Sequence, residues 1–169
     1  MARQADERAA APRASAAPLR RPGPALLGGT RILAAAGECS VEALRPGDRV
    51  VTRCRGMAVV RAVHRVRLAP GAAVVRIPAG ALGRGRPERD VDLLPSQPVV
   101  LRDWRARALF GTAEARVAAA RLVDGRVIRL APGDGAAAFA VVLDVGLVLM
   151  GEGLELVSAA PDAVSAPGR

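Results

Sequence analysis

The chain of 169 residues holds few side chains able to do covalent chemistry: two cysteines, Cys39 and Cys54, and a single histidine, His64. The thiolate is the nucleophilic form of cysteine, and neighbouring cations favour it. Arg53 and Arg55 flank Cys54, so this thiol is the one placed to be reactive. His64 follows ten residues later. If the two faced each other across a hairpin, a thiol–imidazole pair would result. The plainer reading is an ordinary semi-exposed thiol and a surface histidine on a strand between Val63 and Arg65. The cysteines form no CxxC pair, and one histidine supplies no His/Cys ligand cluster, so the residues point to no metal and no cofactor. One disulfide between the cysteines is open; two free thiols fit a reducing cytoplasm.

The formal net charge is +9, carried on arginine with no lysine in the chain. Together with abundant Ala, Gly and Pro, this looks like the codon bias of a GC-rich bacterium. A charge of that size can steer a protein to nucleic acid or an anionic surface. Here the arginines are scattered, and aromatic residues make up only 2% of the chain, so nothing interleaves to stack on bases. The pattern reads as a solvated arginine surface and argues against a nucleic-acid partner. No apolar run is long enough to span a bilayer. The early alanines are interrupted by Arg13, Pro18, Arg20, Arg21 and Pro22, which argues against a secretory signal. The cytoplasm is then the default compartment, with non-classical export left open. A protein partner is compatible with this composition, and no oligomeric state is specified by it.

The elements that must position these residues are short β runs. Residues 1–24 read as a disordered Ala/Arg/Pro arm, 25–158 as the folded domain, and 159–169 as a flexible tail. Strands are expected at 30–33, 49–53, 74–77, 91–94, 99–102, 137–143 and 147–150. A long strand over 57–68 alternates Val59, Val63 and Val66 with arginines. Arg45-Pro46-Gly47-Asp48 suits a type II turn. Residues 80–89 read as a loop, and 104–110 as a short hydrophobic connection. Residues 113–122 fit a helix or a strand. Asp124-Gly125 is a hairpin signal leading into 126–130. Short strands with a turn every eight to twelve residues predict an all-β fold.

The ordered series Gly29-Thr30-Arg31-Ile32, Gly37-Glu38, and Val41 through Arg53, with Leu44-Arg45-Pro46-Gly47-Asp48-Arg49-Val50 at its centre, resembles the opening of a bacterial Hint (Hedgehog/intein) domain of the Hint_2 kind. Shorter matches follow at Val75-Arg76-Ile77, 79–83, 107–111 and 122–125. The resemblance covers about 25–158 and implies a compact Hint-type β fold of hairpins. It also implies self-processing. A Cys or Ser at the domain boundary attacks the preceding carbonyl, and a central His protonates the leaving amide nitrogen.

Carried over residue by residue, the boundary nucleophile falls at Ala25, which has none, and the central His falls at Gln97, which shuttles no proton near neutral pH. The late segment 144–147 lacks the family's Arg-His-Glu type pattern, and the chain contains no Asn for splicing-type cyclisation. Cys39 and Cys54 do not replace the nucleophile, because attack there would cut through the fold. The expectation is a Hint-like domain that is catalytically inactive and serves as scaffold or binding module. The alternative is an autoprocessing or thiol-dependent enzyme built on Cys54 and His64.

Overall fold

Residues 23–163 are described by a computed structural model. The expected turn at Pro46-Gly47 forms. Gly47 has φ 96°, Asp48 N–H donates to Arg45 O at 3.0 Å, and the Asp48 carboxylate accepts from Arg45 N–H at 2.7 Å. The positive φ is one that glycine adopts without cost. The turn aims β4 (Arg49–Thr52) back along β2 (Arg31–Ala34). β2 also pairs with β3 (Gly37–Ser40), and β4 pairs with β5 (Gly56–Val59). Inward Ile32 and Val50 are fully buried, as alternation requires for a sheet covered on one face.

The long strand expected over 57–68 is two strands. β6 (Ala62–Val66) leaves the first sheet and pairs with β12 (Ala138–Val142). The backbone shows how. Val60 N–H donates to Asp48 O, whereas the next N–H, of Arg61, donates to Val142 O. Successive amides in an extended chain point to opposite sides, so the chain passes from one sheet to another without losing its alternation. The side-chain pattern carries no trace of the change of partner.

β7 (Ala73–Ile77), β8 (Val91–Leu93) and β11 (Arg129–Pro132) form a three-stranded sheet in the order β11-β7-β8. β1 (Leu26–Leu27), β12 and β6 form another. The largest sheet runs β10-β9-β14-β13-β2-β4-β5, with β3 beside β2; here β9 is Pro98–Leu101, β10 is Ala115–Ala118, β13 is Val148–Gly151 and β14 is Leu154–Val157. The fold is all-β, as the sequence predicts, and aliphatic side chains fill its main core.

Three further segments depart from expectation. The connection at 104–110 is a helix, α1 (Trp104–Phe110). The Asp103 carboxylate accepts from Arg105 N–H at its start, and Gly111 ends it at φ 69°. These are the two standard helix-end devices. Asp124-Gly125 makes no hairpin. The Asp124 carboxylate gathers the N–H groups of Arg126, Val127 and Ile128 at 2.8, 2.8 and 3.0 Å. The chain then runs on to β11, whose partner is β7. β14 had no sequence signal because all four of its residues are buried, which removes alternation. It is joined to β13 by a turn in which Glu152 has φ 50° and Gly153 φ 71°. Glu152 is held there by its Oε1, which accepts from Arg31 N–H at 2.8 Å.

The arm at 1–24 lies outside the described residues except for Gly23 and Pro24. At the other end, ordered backbone continues past 158. Ala159 is fully buried and bridges in parallel to Val142, and Pro161–Ala163 forms a 3-10 turn. Among the described residues no helix is long and apolar enough to cross a membrane.

Candidate functional site

Ala25 immediately precedes β1 and is buried in a small apolar cluster with Leu94 and Ala159. β1 is fixed by pairing Leu26 with Phe139 and Leu27 with Ala138 on β12. The far end of β12 holds Ala159. Ala159 N–H donates to Val141 O at 2.9 Å, and Leu143 N–H donates to Ala159 O at 3.2 Å. The start and the end of the domain therefore meet on one strand.

Gln97 ends a tight turn, its N–H donating to Leu94 O at 2.9 Å while its own carbonyl accepts from Ala119 N–H at 2.8 Å. Its side chain is fully buried. Nε2 donates to Pro98 O and to Val157 O, each at 3.0 Å. Two carbonyl acceptors fix which end of the amide is which, since a flipped amide would set oxygen against oxygen. Oε1 has no donor within reach. The adjacent Ser158, passed over in sequence as the last residue before the tail, is buried; its hydroxyl accepts from Leu147 N–H at 3.0 Å and donates to Ala159 O at 3.4 Å. A polar residue closing an apolar strand was the one signal available for it.

Ala25 packs in one apolar cluster with Leu94, and Gln97 N–H donates to Leu94 O, so the two positions that the resemblance singles out are linked through one residue. One offers a methyl group and the other a committed amide. No ionisable side chain is among Ala25, Gln97, Ser158 and Ala159.

Cys54 and His64 are not brought together by a hairpin. Cys54 is exposed in the turn between β4 and β5, and His64 is exposed on β6 opposite Ala140 of β12, in a different sheet. The change of sheet at residues 60–61 is the reason. Arg53, expected to act on the Cys54 thiol, instead donates to the Glu155 carboxylate at 2.7 Å. Cys39 is half-buried on β3, and both thiols are free. Burial, and secondarily the charge of Asp48, pushes the Cys39 thiol above its ordinary range.

A cleft of about 380 Å³ opens beside β1, but its charged walls are already engaged. Arg76 and Asp92 form a bidentate pair at 2.9 and 2.7 Å, and Arg89 Nε lies 2.9 Å from Glu152 Oε2. Asp90 accepts from Ala79 N–H, and Asp134 from Ala136 N–H. Among the described residues, no three His, Cys, Asp or Glu side chains converge as metal ligands would.

Comparison with known proteins agrees with this architecture. The Hint domain family matches residues 24–163. The solution structure of a bacterial intein-like domain from Clostridium thermocellum superposes with a TM-score of 0.57 at 16% identity, covering 80% of this chain and 99% of that one. A splice-inactive, glutathione-linked variant of the AceL NrdHF class 3 split intein aligns with a TM-score of 0.37 at 14% identity, covering 80% of this chain and 97% of that one. No curated protein matches significantly. With the family matching residues 24–163, most of the chain, the protein belongs to the Hint domain family.

Proposed function

We propose that this Hint domain has lost the self-processing reaction and serves as a scaffold or binding module. The observation that carries the reading is the side chain of Gln97. Self-processing needs a group that gives a proton to a departing amide nitrogen, with a pKa near the working pH. Gln97 Nε2 has two hydrogens, and both are directed at the carbonyls of Pro98 and Val157. None remains for a substrate, and an amide does not release one near neutral pH. Ala25 supports the same reading, since a methyl group at the boundary position attacks nothing. The competing reading, an enzyme built on Cys54, gains no support from the separation of Cys54 and His64 into different sheets.

The test is intact mass. The full chain is expressed behind an N-terminal fusion and incubated with and without dithiothreitol, which would capture a thioester, or hydroxylamine, which would capture a thioester or an ester. The expected result is one unchanged mass in every condition. Release of the fusion by a cut next to residue 25 overturns the proposal.

A further inference from the structure

A second cleft, of about 290 Å³, lies away from Ala25, Gln97 and Ser158, between the loop that follows β7, the start of α1, and the ends of β9 and β14. Its floor is aliphatic, with Leu82, Leu101 and Leu154. Its rim carries Trp104, which leaves 67% of its surface exposed although it is the only tryptophan in the chain. The rim also carries Arg84 and Arg86.

The charges in this cleft are unequally satisfied. Its two carboxylates are both engaged. Asp103 caps α1 and pairs with Arg105 at 2.8 Å; Glu155 accepts from Arg53 at 2.7 Å and from Arg102 at 3.0 Å. Arg102 is further paired with Glu114. Arg84 and Arg86 have no side-chain partner among the described residues. The lining of the cleft therefore combines an aliphatic floor with two guanidinium groups unpaired among the described residues, and the Glu88 side chain lies against Gly153 at its edge.

The loop bearing them is held in place. Arg105 reaches across from α1 and donates to Leu82 O at 2.8 Å and Ala81 O at 3.1 Å. Within the loop, Leu82 N–H donates to Arg86 O and Arg86 N–H to Gly83 O. Arg84 itself has φ 52°, between two glycines that adopt positive φ freely. A glycine there would carry no strain, so the arginine side chain is displayed at a conformational cost. Non-glycine residues in this region of φ collect at binding and catalytic sites.

From this arrangement we infer that the cleft is a binding site for the C-terminal end of a peptide finishing in an aliphatic residue. A guanidinium fork pairs with a carboxylate more strongly than with any neutral group. A peptide C-terminus carries its carboxylate and an aliphatic side chain on the same residue, which fits a small cleft whose arginine rim borders directly on Leu82, Leu101 and Leu154. Trp104 carries the Arg105 guanidinium 4.9 Å over one side of its ring and offers its other face as a large flat apolar contact. The volume is that of a single residue with part of its neighbour, at the lower end of the range for ligand sites. The inference is independent of whether the domain cleaves itself.

The lone tryptophan makes the test direct, because intrinsic fluorescence reports on Trp104 alone. The full chain is titrated with N-acetyl-Gly-Ala-Gly-Ala-Leu bearing a free carboxylate. Two control peptides are its C-terminal amide and an amidated version with an internal Glu. A saturable change in Trp104 emission with the free acid is expected, with at least tenfold weaker binding of both controls. Arg84→Gly removes the guanidinium while relaxing the backbone, its fold is checked by circular dichroism, and it is expected to weaken the free acid at least fivefold. Equal binding of the acid and its amide, equal binding of the internal-Glu peptide, an unchanged affinity in Arg84→Gly, or no saturable signal up to millimolar peptide would each overturn the inference.

Discussion

Gln97→Met isolates the hydrogen bonds of the central amide from its volume. Methionine fills nearly the same space, and the backbone bonds of residue 97 to Leu94 and Ala119 do not involve the side chain. What is lost is the pair of bonds from Nε2 to Pro98 O and Val157 O, both at 3.0 Å, the first part-buried and the second buried. A buried neutral hydrogen bond contributes about 0.5–1.5 kcal/mol, and a carbonyl left dry adds to the loss. Methionine also removes the unpartnered Oε1, which offsets part of that loss, so the variant is expected to unfold at a cost lower by about 1–3 kcal/mol. For a domain of this size that lowers Tm by on the order of 10 °C. Urea unfolding followed by far-UV circular dichroism measures it, with an unchanged slope showing that the surface exposed on unfolding is the same. Gln97→Glu is the sharper companion. At neutral pH its carboxylate would face two carbonyl oxygens with no donor, so it should be less stable than Gln97→Met and recover as pH falls. A Gln97→Met variant within about 0.5 kcal/mol of the parent would refute the reasoning. The amide would then be an idle occupant of the position and not the tie that holds β9 to the end of β14.

If Ala25 and Gln97 are where the chemistry was lost, then Ala25→Cys with Gln97→His is expected to give hydroxylamine-dependent release of an N-terminal fusion, and neither single substitution is. An inert double variant, shown by mass spectrometry, counts against placing the loss at these positions. Thiol labelling by an aromatic disulfide at pH 8 should proceed at Cys54 before Cys39, since Cys54 is exposed while burial and Asp48 raise the Cys39 pKa; peptide mapping that finds the reverse order would count against the structure of β3. Acid should destabilise the fold through Asp124 and Asp144. Backbone N–H bonds, led by that of Arg126, lower the Asp124 pKa, and the bond from Arg61 lowers that of Asp144. A carboxyl group depressed in the folded state stabilises it above the unfolded pKa of about 3.9 and loses that contribution as pH falls through the folded value. Asp124→Asn should therefore flatten the dependence of Tm on pH below about 4, and an unchanged acid slope would exclude the role given to Asp124.

The sequence made the opening of the fold readable because its devices are local. Pro46-Gly47 sets a turn, and Ile32 and Val50 mark the inward face of the two strands beside it. What escaped was set by distant partners. The passage from β5 to β6 turns on which carbonyl each of Val60 N–H and Arg61 N–H finds, and those carbonyls belong to Asp48 and Val142. β14 was hidden because Leu154, Glu155, Leu156 and Val157 are all covered, two of its faces being buried instead of one. Its buried Glu155 depends on Arg53 and Arg102, from two other strands or their ends. At the site, Ala25 and Gln97 could be placed only through the resemblance. That Gln97 is tied to Val157, and that Ser158 stands beside it, followed from the pairing of β9 with β14 and was not local information.

β12 receives Leu26 opposite Phe139 and Ala159 opposite Val142. Those two points are three residue steps apart along the strand, roughly 10 Å at about 3.3 Å per step. That is about twice the spacing of neighbouring strands in a sheet, so a surface loop joining two strands can span it. Splicing residues 25–159 into such a loop would leave the flanking strands of the recipient where they were, with only a modest entropic penalty for the closed loop. The same geometry would let the original ends be joined by a few residues and new ones opened in an exposed turn, such as the one bearing Cys54.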